Sequence, residues 1–250
     1  LYRIVSRIWS RGRNIAIRAR ILGARHIGLD EFENGLLILN RSSLLGDKGD
    51  LVTTPLDRTI FKYVADHGEW EAEESRFLAK LLVDSEVDGR SKVSVALIDI
   101  GANSGLVTRQ VLRLSGSDCS LVLVEPIRNH VKAIQANLMH LRHKNNLKIV
   151  EAGLDETSGE RKILIQDSNR GNSSFLSSAV PKSETKELTV KVLAVEDFVS
   201  VYLSSFGRFV IKSDTQGFDS RILSFLPNEV WQKCEGAVVE VWALPEIETK

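Results

Sequence analysis

Three groups of residues have the types and spacings that chemistry needs. Asp99, Gly101, Asn103 and Gly105 fall in the run D-I-G-A-N-S-G, Glu125 lies 20 residues beyond Gly105, and Lys212 and Asp214 stand two apart in I-K-S-D-T-Q-G. A dinucleotide site asks for G-x-G-x-x-G, whose second glycine lets the backbone approach a pyrophosphate. Counted from Gly101, Asn103 and Leu106 occupy the places of the second and third glycines. A pyrophosphate, and with it a nicotinamide oxidoreductase, is therefore disfavoured. An acid followed by this glycine turn suits a ligand that carries an amino-acid ammonium group and no phosphate. Glu125 is spaced to accept hydrogen bonds from two ribose hydroxyls. S-adenosylmethionine joins those groups in one molecule: a zwitterionic methionine tail, a ribose diol and an adenine. Lys212 and Asp214, two apart on a strand, point to one side of it. Asp214 is then placed to orient an acceptor hydroxyl or to take its proton, an assistance of about 10²–10⁴-fold. Lys212 would set its charge state or steer the substrate oxygen. The alternative is a buried ion pair that only holds the turn before Gly217. Glu240, at the end of the last strand, and His67 are further candidates, each better explained as a satisfied packing or surface residue.

These residues need elements to hold them. Val93 to Ile100 is an apolar, β-branched run of strand length that breaks at Gly101–Gly105; a helix resumes with Leu106, Val107, Val111 and Leu114 on one face. Leu121 to Glu125 forms a second strand, a helix with Val131, Ile134, Leu138 and Leu141 follows, and a third strand runs from Leu147 to Ala152. This alternation predicts βαβ units in a parallel sheet covered on both faces, with the ligand at the carboxyl ends of the strands. Upstream, a helix is expected over residues 69–83, with Glu69, Glu71, Glu73 and Glu74 in its first turn, where carboxylates suit the helix dipole. Two short strands are expected at Leu36–Leu39 and Leu51–Thr54.

Composition bounds the rest. The 250 residues carry 33 basic and 33 acidic side chains, a formal charge of zero that argues against a nucleic-acid partner. No apolar run reaches the roughly 18 residues a membrane span needs. Two cysteines, Cys119 and Cys234, are too few for a disulfide scaffold or a cysteine zinc site. With strands one and four between them, a disulfide is not expected. Residues 1–25 hold seven arginines and no acid, leaving a net −7 on the remainder. They predict a basic amphipathic helix that packs on its own domain or, alternatively, contacts an anionic membrane or a partner. A cytoplasmic location, peripheral at most, is expected. His130, His140 and His143 lack supporting carboxylates and are expected at the surface, with no metal bound. The segment from Gln166 to Leu188 is expected to be a long polar loop. Arg170, Asn172, Ser173 and Ser174 could there meet a polyhydroxy acceptor such as a sugar, or simply face solvent.

The runs IDIGANSG (98–105), VEPIRNHVKAIQANL (124–138), VEAGLDETSGE (150–160), FVIKSDTQGFDSRIL (209–223) and VVEVW (238–242), with HGEWEAE (67–73) upstream, together resemble the FkbM-type S-adenosylmethionine-dependent methyltransferases. The likeness covers roughly residues 57–242. It implies an α/β, Rossmann-like class I methyltransferase fold with strand order 3-2-1-4-5, and O-methylation of a sugar, polysaccharide or secondary metabolite. By resemblance, Asp99, Gly101, Asn103 and Gly105 hold the methionine part of the cofactor, Glu125 the ribose, and Gly153 with Leu154 flank the adenine. Gln216, Ser173, Ser174 and Glu240 are the expected substrate-binding residues. Three features depart from the pattern. Gln216 stands where the family has a glutamate, few residues follow Trp242 for the usual closing β-hairpin, and the arginine-rich start lies outside the likeness. The expected layout is a helix-and-hairpin extension over 1–56 and a methyltransferase domain over 57–250. Gln216 and the short end also admit a second reading, a non-catalytic binding module of the same fold.

Overall fold

The computed structural model describes residues 37–39, 51–53, 58–67, 69–87, 95–138, 146–166, 169–176 and 185–241. The arginine-rich start, His140, His143, Leu141 and Trp242 lie outside them, as do the side chains of Arg170 and Asn172.

The central element is a five-stranded parallel sheet. In chain order its strands are β3 (Val95–Ile100), β4 (Ser120–Val124), β5 (Leu147–Val150), β10 (Arg208–Ser213) and β11 (Cys234–Val239). Laterally they run β11-β10-β3-β4-β5, which is the expected 3-2-1-4-5 order of an α/β, Rossmann-like fold. Each strand is apolar on both faces because helices cover both. Leu97, Leu121, Leu123 and Val210 pack against α2 (Ala72–Val87), α3 (Leu106–Ser115) and α4 (Arg128–Leu138). Ile98, Val122, Val124 and Ile211 pack on the other side, against α5 (Val195–Phe198) with its π-helical continuation Val199–Leu203, and against α6 (Asp219–Ser224) and α7 (Asn228–Lys233). Cys119 and Cys234 are not joined in a disulfide: Cys119 precedes β4 and Cys234 opens β11, with β10 and β3 between those two strands. Leu114, expected on the buried face of α3, is instead 54% exposed.

Two short strands, β1 (Leu37–Leu39) and β2 (Leu51–Thr53), pair antiparallel as expected; α1 (Arg58–His67) follows. The segment after β5 departs from expectation. The third strand ends at Val150, and the chain then leaves the main sheet to form β6 (Gly153–Asp155) in a second one. There β6 pairs parallel with β9 (Thr185–Ala194), which pairs antiparallel with β7 (Gly159–Gln166), itself antiparallel to β8 (Asn169–Ser174). The described residues of the stretch read as a loop are thus largely strand. Their polar character marks an edge strand, since β8 has a sheet partner on one side alone among the described residues.

A cavity at the carboxyl ends of the strands

A cavity of about 280 Å³ opens where the strand order reverses, between the chain ends leaving β3 and β10. Three left-handed residues build its wall. Among the described residues, Glu71 (φ 46°), Asn103 (φ 49°) and Gln216 (φ 55°) are the non-glycine positions with positive φ, and all three line the cavity. Such conformations cost on the order of 1–3 kcal/mol each and persist only where surrounding contacts impose them.

The turn after β3 shows how. Gly101 (φ 76°) has no room for a side chain, because a Cβ would collide with the carbonyl of Asp214. Its N–H and that of Ala102 both donate to the Val124 carbonyl (3.0 and 3.1 Å). The Asn103 N–H then donates to Glu125 Oε2 (2.9 Å), and the Ile127 N–H to Glu125 Oε1 (2.9 Å). His130 Nδ1 lies 3.2 Å from the same Oε1. Glu125 is thereby buried with its carboxylate fixed, and Oε2 has accepted one bond of the two it can take. His130 was expected at the surface; it is 2% exposed, lines the cavity, and its Nε2 has no hydrogen-bond partner.

Lys212 and Asp214 meet as expected, with Nζ to Oδ2 at 3.7 Å, but Lys212 also sits beside Asp99 in the parallel register, Nζ to Oδ1 at 3.4 Å. Burial opposes the charge on Lys212, yet the carboxylates of Asp99, Asp214 and Glu71 outweigh it and hold the ammonium well above the ordinary lysine range. Burial likewise works against the charge on Asp214. Lys212 and hydrogen bonds to Glu240 and Gln216 prevail and keep it below the usual carboxylate range. The Gln216 amide donates to Asp214 Oδ1 (2.7 Å) and to Glu240 Oε2 (3.2 Å), joining two acids that a glutamate at this position would repel.

The remaining expected residues divide. Gly101, Asn103, Gly153, Leu154, Ser173 and Glu240 line the cavity together with Glu125, Lys212, Asp214 and Gln216. Asp99 does not: it is 1% exposed and spent on Lys212 and on the Thr108 hydroxyl, which donates to its Oδ2 (2.6 Å). Gly105 (φ 73°) starts α3 and packs on Ile134. Ser174 is buried, its hydroxyl donating to the Gln216 carbonyl (2.8 Å) and accepting the Leu176 N–H (3.0 Å), so it fastens the second sheet to the turn after β10. His67 is exposed and stacks on Tyr63, off the cavity. No cluster of three or more His, Cys, Asp or Glu able to hold a metal occurs among the described residues, and no helix there is long and apolar enough to cross a membrane.

The sequence reading missed Glu71 as a site residue. It placed this glutamate in the first turn of a helix, but α2 begins at Ala72 and Glu71 precedes it, turned to the cavity by its left-handed backbone. Burial, with the charges of Asp214, Glu74 and Asp99 opposing that of Lys212, raises its pKa to about 7. The signal lay in the HGEWEAE run and the Glu74 that follows it, where four acids are more than one helix start needs. Phe175, Ile127 and Ile163 also line the cavity; they pack together and give it an apolar end away from Lys212. A Cβ at Gly153 would come 2.8 Å from the Phe175 ring, so the glycine is what lets that ring lie against the strand.

No family model matches the chain, and no curated protein matches it. Among solved structures it is similar to precorrin-6y C5,15-methyltransferase from Geobacter metallireducens GS-15, at 16% identity over 67% of this chain, with a TM-score of 0.33. It spans 61% of that protein's length. The fold assignment rests on the strand order itself.

Proposed function

We propose that the chain is an S-adenosylmethionine-dependent methyltransferase, similar to the FkbM type, that methylates a hydroxyl oxygen of a small-molecule or glycan acceptor. The observation that carries this is the charge of the cavity. Glu71, Glu125, Asp214 and Glu240 line it against Lys212, which is already engaged by Asp99 and Asp214. A phosphate-bearing ligand would be repelled there, whereas one with a sulfonium and an ammonium is attracted. The donor and acceptor set fits that group. The free acceptor site on Glu125 Oε2 suits a ribose hydroxyl, and the apolar end around Ile127, Leu154, Ile163 and Phe175 suits a purine.

Bound there, the cofactor would supply an activated methyl group. Glu125 holds the ribose end in register because two backbone N–H groups fix its carboxylate. Asp214, ionised at neutral pH, accepts a hydrogen bond from the acceptor hydroxyl and sets its line of approach; a carboxylate held below its usual range orients better than it deprotonates. Lys212 keeps that charge in place, and the Gln216 amide holds Asp214 and Glu240 side by side.

Calorimetric titration tests the reading. S-adenosylmethionine and S-adenosylhomocysteine should bind at micromolar concentrations and NAD should not. Glu125→Ala should weaken both by about 1–3 kcal/mol, the worth of hydrogen bonds to a charged group. NAD binding, or an unchanged affinity in the variant, would overturn the assignment. A second reading is a non-catalytic binding module of the same fold, because Gln216 stands where the FkbM type has a glutamate. Cofactor binding without methyl transfer to any hydroxylated acceptor would establish that instead.

A further inference from the structure

The mechanism above leaves Glu71 unused, yet the fold takes pains to place it. A right-handed backbone at this position would merely lengthen α2 by one residue toward solvent. Instead Gln110, 2% exposed on α3, grips the preceding peptide from both sides: its Oε1 accepts the Trp70 N–H (2.9 Å) and its amide donates to the Trp70 carbonyl. The same amide donates to Ser75 Oγ (2.9 Å), and the Ser75 N–H donates to the Glu71 carbonyl (3.0 Å). The left-handed turn at Glu71 is thus imposed from two elements, and its result is a carboxylate in the cavity wall beside Lys212 and Asp214.

The cluster it joins is short of cations. Asp99 and Asp214 lie within 4 Å of the Lys212 ammonium, and Glu71 adds a third acid to its field. A buried group of three carboxylates is poorly served by one ammonium. We propose that Glu71 receives the ammonium of the cofactor's amino-acid end, which supplies the missing cation. This rests on the adenosylmethionine reading above.

Proton coupling follows from the charged groups that face Glu71. Among the described side chains these are Lys212 and Asp214 at the end of β10, Asp99 at the end of β3, and Glu74 in the first turn of α2; the described residues of α1 at the cavity, Thr59 and Ile60, carry no charge. With a pKa of about 7 in the free protein, Glu71 holds a proton where the cofactor would bring an ammonium, so binding expels it. Near pH 6 most of one proton leaves per ligand bound, and affinity rises up to about tenfold per pH unit on approach to 7. The ligand's own α-amine titrates only near 8, which leaves the window from pH 5.5 to 7 clean.

The experiment is calorimetry of the full chain in that window, in buffers of differing ionisation enthalpy, with S-adenosylhomocysteine and with 5′-methylthioadenosine, which lacks the amino-acid end. Proton release and a pH-dependent affinity are expected with the first ligand and neither with the second; Glu71→Gln should abolish both for the first. Binding of S-adenosylhomocysteine without proton release, or release that persists in Glu71→Gln, overturns the proposal alone. Equal release with both ligands overturns it without need of the variant. If neither ligand binds, the cofactor reading falls and this one with it.

Discussion

At the scale of single residues, the most demanding position is Gly101. It must hold φ 76° and leave its α-carbon open to the Asp214 carbonyl, so the turn after β3 and the turn after β10 touch backbone to backbone. Gly101→Ala should therefore cost at least about 2 kcal/mol, read as a lowered urea midpoint, because strain and collision add. The glycine was legible in the sequence, and so was Glu125, since a strand end followed by a turn leaves few alternatives. Asp99 was legible as an acid at a strand end but not as the inward-facing partner of Lys212. That pairing depends on which residues of β10 and β3 lie side by side, and the register between strands more than a hundred residues apart is not written in either strand alone. His130 was mistaken for a surface residue because nothing in a helical periodicity shows that the preceding strand leads into a buried carboxylate, Glu125.

Between residues and molecule stand the elements, and the clearest case is the junction into α2. Periodicity found the helix but not its start, because acids at positions 69, 71, 73 and 74 fit a first turn equally well. What decides the start is Gln110, a residue of another helix whose amide satisfies both polar groups of the Trp70 peptide. Gln110→Leu would take that partner from the part-buried Trp70 N–H and carbonyl. It should destabilise the protein by about 1–3 kcal/mol, with hydrogen exchange at Trp70 accelerated well beyond that of the β3 core amides. Equal acceleration throughout would mean that Gln110 supports the whole fold and not this junction.

For the molecule as a whole, the parallel sheet was legible because apolar runs of strand length alternate with amphipathic helices at short spacing. The second sheet was not, because β8 is made of Asn, Arg, Gly and Ser, and such residues become strand only when a neighbour offers its hydrogen bonds. Besides the residues it lends to the cavity wall, this second sheet is tied to the turn after β10 by the Ser174 hydroxyl on the Gln216 carbonyl. Ser174→Ala takes this partner from the Gln216 carbonyl and the Leu176 N–H, so it should lower affinity for the proposed cofactor several-fold in a titration and also lower the unfolding midpoint, by the worth of about 1 kcal/mol. The chain crosses from one sheet to the other within two residues, Glu151 and Ala152, and the cavity lies along that seam with Glu125 on one bank and Gly153 and Leu154 on the other. Whatever fills it is therefore a mortar as much as a reactant. On the proposed reading, a ligand that bridges the two banks adds its binding free energy to the hold between the sheets, so the chain without it should be cut more readily by a protease along this seam.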